Sequence, residues 1–497
     1  MSARLHMKGL LRVAAALLSG TAIAAAAQAF ETAPLPSAPR PFSIEVPAEQ
    51  RLPNGLRVVV AQRSGVQLVT ARLVVLSGAE ADPAGRAGLA SLVAGLLNKG
   101  TRQRTASAQA REAESLGGAL DSSAEWDASD LSITVAAPML DAALALVSDA
   151  ALHPTFAQPE LDRLRAQVLD GLKVAYAQPG TLALLAAERL RYGDGPYGHP
   201  ASGTPGSIAR VTRADLVALH SERFRPDNAA LVLTGDIDAA SALKLAARHF
   251  GAWRAPNLPL PGLPEAGSRK EMAARSAVIG LPSAAIIDMP ESGQASVVVL
   301  APLPPLGANR AAGAVLNAVL GGGYSSRLNQ EVRIKRGLSY GAGSQLDNRV
   351  RGGSLVASVQ TKNESAATVL GLVQAEIDRL ITAPISADEL SARKATLIGS
   401  FSRAVETTAG LSAVLRSLIV ARLPLAEAGR RIDDLSAVTA ADVQRLAASH
   451  LARAGRRVAV AGDAARFETE MQTELPGAVT VKGSELDLEW RAGLSAR

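Results

Sequence analysis

Six histidines, no cysteine and 46 carboxylates are the groups from which this 497-residue chain could build a catalytic or metal centre. The histidines (His6, His153, His199, His220, His249 and His450) are scattered. No two lie three to five residues apart, the spacing that sets two imidazoles on one helix face as metal ligands. Without cysteine there are no disulfides, thiolate metal sites or thiol nucleophile. His220-Ser221-Glu222 holds the residue types of acid–base chemistry, but neighbours on a helix point about 100° apart and do not converge. No G-x-S-x-G elbow is present, and Ser91 has no local base to activate it. His199, inside Tyr197-Gly198-His199-Pro200, reads as a structural residue of a turn. Gly321-Gly322-Gly323 is not a phosphate loop, because no G-K-[ST] follows. It suits a loop that approaches a peptide backbone closely, or a plain turn. By residue type alone the chain holds no self-sufficient catalytic constellation.

The elements that would position any site begin after residue 29. Residues 1–29 read as a secretory signal: Arg4, Lys8 and Arg12, the apolar run Val13–Ala27, then Ala27-Gln28-Ala29 as an A-x-A cleavage site. A spanning helix needs about 20 apolar residues, so the expectation is cleavage before Phe30 and a periplasmic protein without stable membrane insertion. No Arg-Arg pair marks folded export, and no cysteine could carry a lipoprotein anchor. The formal charge of +6 drops to +3 once Arg4, Lys8 and Arg12 are removed. No basic stripe interleaves with aromatics, so no nucleic-acid partner is expected.

A long-range repeat sets the domain count. Val211-Thr212-Arg213-Ala214-Asp215-Leu216 returns as Val438-Thr439-Ala440-Ala441-Asp442-Val443, 227 residues on. Leu231-Val232-Leu233-Thr234-Gly235-Asp236 returns as Val458-Ala459-Val460-Ala461-Gly462-Asp463 at the same offset. Leu73-Val74-Val75-Leu76 is matched by Val297-Val298-Val299-Leu300. A fixed offset with matching element order indicates a duplicated domain rather than a solenoid. The Pro/Gly-rich run Ala255–Gly267 is the natural linker. The expected division is a signal at 1–29, a first domain at 30–254, a linker at 255–285 and a second domain at 286–497. Arg57–Ala61 and Leu68–Leu76 suit strands. Leu89, Leu92, Val93, Leu96 and Leu97 fall at helical spacing. The fold class is α+β, each domain a mostly antiparallel sheet packed against helices.

Residues 88–101 read G-L-A-S-L-V-A-G-L-L-N-K-G-T. This frame resembles the active-site helix of the pitrilysin/insulinase family of zinc peptidases, G-L-A-H-F-L-E-H-M-L-F-K-G-T. The resemblance extends to Leu52-Pro53-Asn54-Gly55-Leu56, to Pro196–Pro200 followed by Gly203-Thr204-Pro205, and to Phe224–Asn228 followed by Leu233–Asp236. It implies that Ser91 and Gly95 stand where two zinc-binding histidines belong, and Ala94 where the catalytic glutamate belongs. The third ligand, a glutamate on a later helix, falls on Gly171, with Asp170 beside it. H-x-x-E-H needs two imidazoles and a carboxylate on one helix face. Serine, alanine and glycine supply neither, so no zinc is expected in this chain. Asp170 reads as a solvated helix residue.

The second half carries the opposite signal. Residues 319–345 contain Gly321-Gly322-Gly323, a helix with Leu328, Val332 and Arg333, and a strand from Leu338. This resembles the family's C-terminal segment in which an arginine and a tyrosine seven residues apart assist at the active site. Arg333 and Tyr340 match that spacing. In the two-subunit, processing-peptidase-like branch such a pair acts in trans on the zinc-bearing subunit, and the paired subunits enclose a peptide chamber. The competing reading pairs Arg333 with Glu331 and packs Tyr340 at a strand end. Three functions remain open on this reading. The first is a zinc-free subunit that binds unfolded peptide and supplies Arg333 and Tyr340 to a zinc-bearing sister, as heterodimer, or pairs with itself. The second is a non-proteolytic binding or scaffold protein on the same fold. The third is a metallopeptidase with unrecognised ligands.

Overall fold

The computed structural model describes residues 44–262, 282–305, 307, 309–486 and 488. The signal-like segment 1–29 and most of the linker lie outside the described residues. In the first half the strands are β1 (Ala48–Arg51), β2 (Arg57–Gln62), β3 (Leu68–Val75), β4 (Asp121–Ala124), β5 (Ser129–Ala136) and β6 (Ala229–Gly235). Its principal helices are α1 (Leu89–Leu97), α2 (Leu140–Leu152), α3 (Gln158–Tyr176), α4 (Pro179–Tyr192), α5 (Arg213–Arg223) and α6 (Ala239–Phe250). The second half holds β7 (Ala284–Asp288), β8 (Ala295–Leu303), β9 (Ala342–Asp347), β10 (Gly353–Thr361), β11 (Arg457–Gly462) and β12 (Val479–Lys482). Its corresponding helices are α7 (Arg310–Leu320), α8 (Ala366–Thr382), α9 (Ala387–Val405), α10 (Thr408–Val420) and α11 (Ala440–His450). Among the described residues no helix is long and apolar enough to cross a membrane.

The duplication is visible in the sheets. Their orders are β1-β2-β6-β3-β5-β4 and β12-β7-β11-β8-β10-β9, both mostly antiparallel. The repeated V-T-x-A-D peptide is a helix start. Thr212 and Thr439 accept hydrogen bonds from the N–H of Asp215 and Asp442, whose carboxylates reach back to the threonine N–H. This reciprocal capping satisfies two backbone donors at each helix end. One alignment shifts. Leu73 pairs with Leu231 whereas Val299 pairs with Val458, so Leu73 corresponds to Val299 and not to Val297. A two-residue slip leaves every side chain on the same face, so the hydrophobic pattern does not register it. Strand β7 begins at Ala284, two residues inside the span read as linker, because Ala284–Ile287 pairs in parallel with β11.

Both faces of each sheet are apolar, and β6 and β8 are buried along their whole length. Such continuous runs demand cover on two sides. One face of the first sheet packs on its own half: Val58, Val60, Leu231 and Leu233 join Leu92, Leu96 and Leu144. The other face, Val59, Val74, Ala230 and Val232, packs under Leu411, Leu415, Leu418 and Ile419 of α10, from the second half. The exchange is mutual. Leu182, Ala186 and Leu190 of α4 cover Ile287, Val298 and Ala459 of the second sheet. Thr70 and Thr234 extend the seam through hydrogen bonds of 2.8 Å to Thr408.

This exchange predicts that a cavity cut into α10 weakens the first sheet. Leu415→Ala removes a fully buried side chain, and the expected loss is about 3 kcal/mol. Urea unfolding should remain one cooperative transition at a lower midpoint. Two separate transitions would show that the halves hold themselves together without the exchange.

Candidate functional site: a metal-less helix and a cationic groove

Helix α1 is held by its apolar stripe and by an unusual start. Leu89, Leu92, Val93, Leu96 and Leu97 are all in the core, so the helical spacing read from sequence marks its buried face. Its first amides are capped from a distance: Asp82 accepts from the N–H of Gly88 at 2.7 Å and of Ala90 at 2.8 Å. Gly88 has φ of 86°, and a Cβ there would stand 2.8 Å from the backbone of Gly203. Two of the quoted family-like segments thus meet glycine to glycine.

The positions where the resemblance puts zinc chemistry carry none. The hydroxyl of Ser91 donates to the carbonyl of Ala201 at 2.8 Å. Ala94 is buried, and its carbonyl accepts from the Ser122 hydroxyl at 2.8 Å. At Gly95 a Cβ would stand 3.0 Å from Cδ2 of Leu164 in α3. Gly171 lies on the exposed side of α3, where a Cβ would meet nothing within 4 Å. Asp170 is a solvated residue paired with Lys173 at 2.8 Å. Among the described residues no group of three His, Cys, Asp or Glu side chains could hold a metal ion. One hydroxyl already engaged, one methyl and two bare backbone positions do not fit a zinc ion that needs three or four nitrogen, sulfur or carboxylate donors.

Arg333 and Tyr340 are brought together. Both line one open groove of about 840 Å³ against the second sheet. Arg333 sits in a π-helical stretch, Asn329–Ile334, anchored by buried Val332 and by Leu328. Such single π turns recur at functional sites because they aim side chains off the normal helical spacing. The arginine does not pair with Glu331, which is taken by Lys335 and by Arg336. Its guanidinium lies 5.3 Å from the ring centre of Tyr324. Tyr340 does not pack at a strand end either: it is 91% exposed. The strand expected from Leu338 starts at Ala342. Gly337 turns the chain at φ of 63°, and the Ser339 hydroxyl closes a local turn onto Gly341. The triple glycine serves the chain itself at two of its positions. A Cβ on Gly321 would stand 2.1 Å from the Ser344 nitrogen, and one on Gly322 2.9 Å from Ala318, while Gly323 is open.

A buried polar knot was not legible from any local motif. Arg349, fully buried, lies between three rings, its guanidinium carbon 4.0 Å from the centre of Trp126, 4.5 Å from Tyr192 and 5.1 Å from Tyr197. It forms ion pairs with Glu188 and, at 2.7 Å, with Asp347. Tyr197 donates to Asp127, whose second oxygen accepts from the Val350 N–H at 3.1 Å. The knot joins the halves, since the rings and two of the carboxylates come from the first and Arg349 from the second. Burial raises Glu188, Asp127 and the nearby Glu80. Glu188 is pushed up to about 7 against the pull of Arg349. Glu80, 3% exposed, is pushed up to about 8, chiefly by burial and then by the charge of Asp127, with the Gly78 N–H opposing. Burial lowers His199 and keeps it neutral, as befits a structural histidine.

Comparison with known proteins identifies the family and the fold. Residues 57–203 match the family model described as Insulinase (Peptidase family M16), and residues 210–397 match that of the Peptidase M16 inactive domain. An uncharacterized zinc protease of Mycobacterium tuberculosis is 29% identical over 361 residues, spanning 72% of this chain and 80% of the relative. A Helicobacter pylori protein named non-peptidase homolog is 27% identical over 319 residues, spanning 63% of this chain and 70% of the relative. The crystal structure of a peptidase M16 inactive domain from Pseudomonas fluorescens superposes with a TM-score of 0.76 at 26% identity, covering 84% of this chain and 98% of that one. The first half of the periplasmic protease PqqL from Escherichia coli shares the fold, with a TM-score of 0.65 at 17% identity, over 87% of this chain and 95% of that one.

Two outcomes follow from the donors and the buried carboxyls. Purified chain should show the same melting temperature with and without a chelator, and calorimetric titration with zinc should give no stoichiometric heat at micromolar protein. A stoichiometric zinc isotherm would mean that ligands exist outside the helix pair α1 and α3. For Glu80, the folded-state value is raised above the ordinary 4.5. The folded chain therefore retains a proton that the unfolded chain releases, and stability falls as pH rises from about 4.5 to about 8. Glu80→Gln keeps an acceptor for the Gly78 N–H and should flatten that decline, gaining on the order of 2 kcal/mol at pH 8 in urea titrations. An unchanged slope would place the charge penalty on other groups.

Proposed function

The chain belongs to the insulinase family of metallopeptidases, peptidase M16, and we propose that it works there as a zinc-free subunit that binds unfolded peptide and completes the active site of a zinc-bearing sister. The observation that carries this reading is a contrast within one molecule. The α1 and α3 positions for metal and base hold Ser91, Ala94, Gly95 and Gly171, while Arg333 and Tyr340 lie in the same open groove with no carboxylate paired to either among the described residues. A guanidinium and a phenol donate hydrogen bonds. Aimed at a peptide carbonyl they hold the chain, and they stabilise negative charge as it develops on that oxygen. Peptide would add along a free sheet edge through backbone hydrogen bonds. Among the described residues strand β4 pairs with β5 alone and is such an edge, and its Ser122 reaches the Ala94 carbonyl on α1.

The proposed location is the periplasm, on the strength of residues 1–29 and of the likeness to the periplasmic protease PqqL. A second reading, a scaffold or peptide-binding protein with no peptidase partner, is favoured by the name of the Helicobacter pylori relative.

Co-purification from the native periplasm separates the two. A similar-sized partner with intact H-x-x-E-H supports the subunit reading, and recovery of the chain alone supports the scaffold. With the partner in hand, Arg333→Ala and Tyr340→Phe should each lower turnover about 10- to 100-fold while the complex still assembles on gel filtration. Unchanged turnover in both variants would remove the proposed role of the pair.

A further inference from the structure

The groove that holds Arg333 and Tyr340 has one-sided chemistry. Its floor is the face of the second sheet, with Ser296 on β8, Gln345 on β9, and Ser358 and Gln360 on β10. These amides and hydroxyls hydrogen-bond a peptide without choosing a charge. The charge comes from the walls. Lys362, exposed at the end of β10, joins Arg333 as a second cation. Neither forms an ion pair among the described residues, and the acidic residues beside them in sequence are occupied. Glu331 is held by Lys335 and Arg336, and Glu364 by Arg466 at 2.8 Å. No aspartate or glutamate among the described residues lines the groove. The first turn of α4 closes over the same floor: a Cβ on Gly180 would stand 3.5 Å from the Gln360 amide nitrogen and 3.7 Å from the Ser296 hydroxyl. A helix N-terminus adds to the positive potential.

Two unpaired cations, a neutral hydrogen-bonding floor and no carboxylate favour a negative ligand and repel a basic one. We infer that this groove selects extended peptide segments carrying an aspartate or glutamate side chain, whose carboxylate is taken by Lys362 while Arg333 remains for the peptide carbonyl. The inference rests on the reading of this groove as a peptide site, and adds the substrate class to it.

The test uses the full mature chain and three fluorescein-labelled, unstructured peptides of one Ser/Thr/Val background. They carry two Glu, two Gln or two Lys at matched positions and are amidated, so that no free C-terminal carboxylate competes. Fluorescence anisotropy in low salt should rank them Glu, Gln, Lys, with the Glu peptide about fivefold tighter than the Gln peptide. The gap should close as salt is raised. Lys362→Gln should narrow it, and Lys362→Glu should bring the Lys peptide level with or ahead of the Glu peptide, with the melting temperature of both variants unchanged because the residue is exposed. Equal affinities for all three peptides, or the same ranking in Lys362→Glu, would overturn the charge preference and leave the peptide site standing. No binding of any peptide would overturn both together.

Discussion

Each sheet of this protein has two faces that must leave water, and each half of the chain supplies cover for only one face of its own sheet. The other is covered by a helix of the opposite half: α10 lies on the first sheet and α4 on the second. Burying a face of four or five β-branched and leucine residues contributes more than any single polar contact in the molecule, so this exchange fixes how the halves meet. The groove follows from it. One wall is α4 of the first half, and its floor is the second sheet, so the site exists only when the halves are joined. The Arg349 knot sits on the same seam. A buried arginine is tolerable only with its charge matched and its faces occupied, which Glu188, Asp347 and three rings provide. It ties the two halves at one point of the seam through Arg349–Glu188 and the Val350 N–H to Asp127.

The same logic explains how α1 is held without a metal. Five apolar residues of α1 are in the core, and its start is tied to Asp82 and to the Gly88–Gly203 contact. None of those interactions involves a metal. With Ser91, Ala94 and Gly95 on it, packing holds the helix in place, because its removal would uncover the first sheet. Ser91 and Ser122 then direct their hydroxyls to backbone carbonyls of the immediate surroundings. The result is a closed, satisfied structure rather than a damaged site.

What the sequence made legible was what repeats or caps locally. The V-T-x-A-D capping boxes and the Gly-Asp strand ends gave two homologous α+β halves, and the apolar spacing of residues 89–97 gave the helix. The slip between β3 and β8 was invisible because a two-residue shift preserves the alternation of faces. The Arg349 knot was invisible for another reason. Its members come from residues 80, 126–127, 188–199 and 347–349, and no local pattern links them. A usable signal lay in composition: in a chain with only 3% aromatic residues, Trp126, Tyr192 and Tyr197 gather around one cation. Arg333 and Tyr340 stood out only through resemblance to a family frame. The sequence places Arg333 on a helix and Tyr340 on a strand from Leu338, but the strand starts only at Ala342. The chain instead makes a π turn at Arg333 and a glycine bend at Gly337, and brings the two into one groove by a different route.

The two halves differ in what they offer chemically: the α1 and α3 positions hold Ser91, Ala94, Gly95 and Gly171, and the second half holds Arg333 and Tyr340 in one groove. A hydrolytic centre depends on a few donors in one geometry, and substituting any of them abolishes it without disturbing the fold. A peptide groove depends on a sheet face, a helix wall and spare hydrogen-bonding groups, most of which the fold must hold in place anyway. The groove's floor and its α4 wall belong to the seam on which both halves depend. Arg333 and Lys362 are the exception, since neither packs in the core nor forms an ion pair among the described residues. Arg333 has the Tyr324 ring at 5.3 Å as its partner, and Lys362 reaches into solvent at the end of β10.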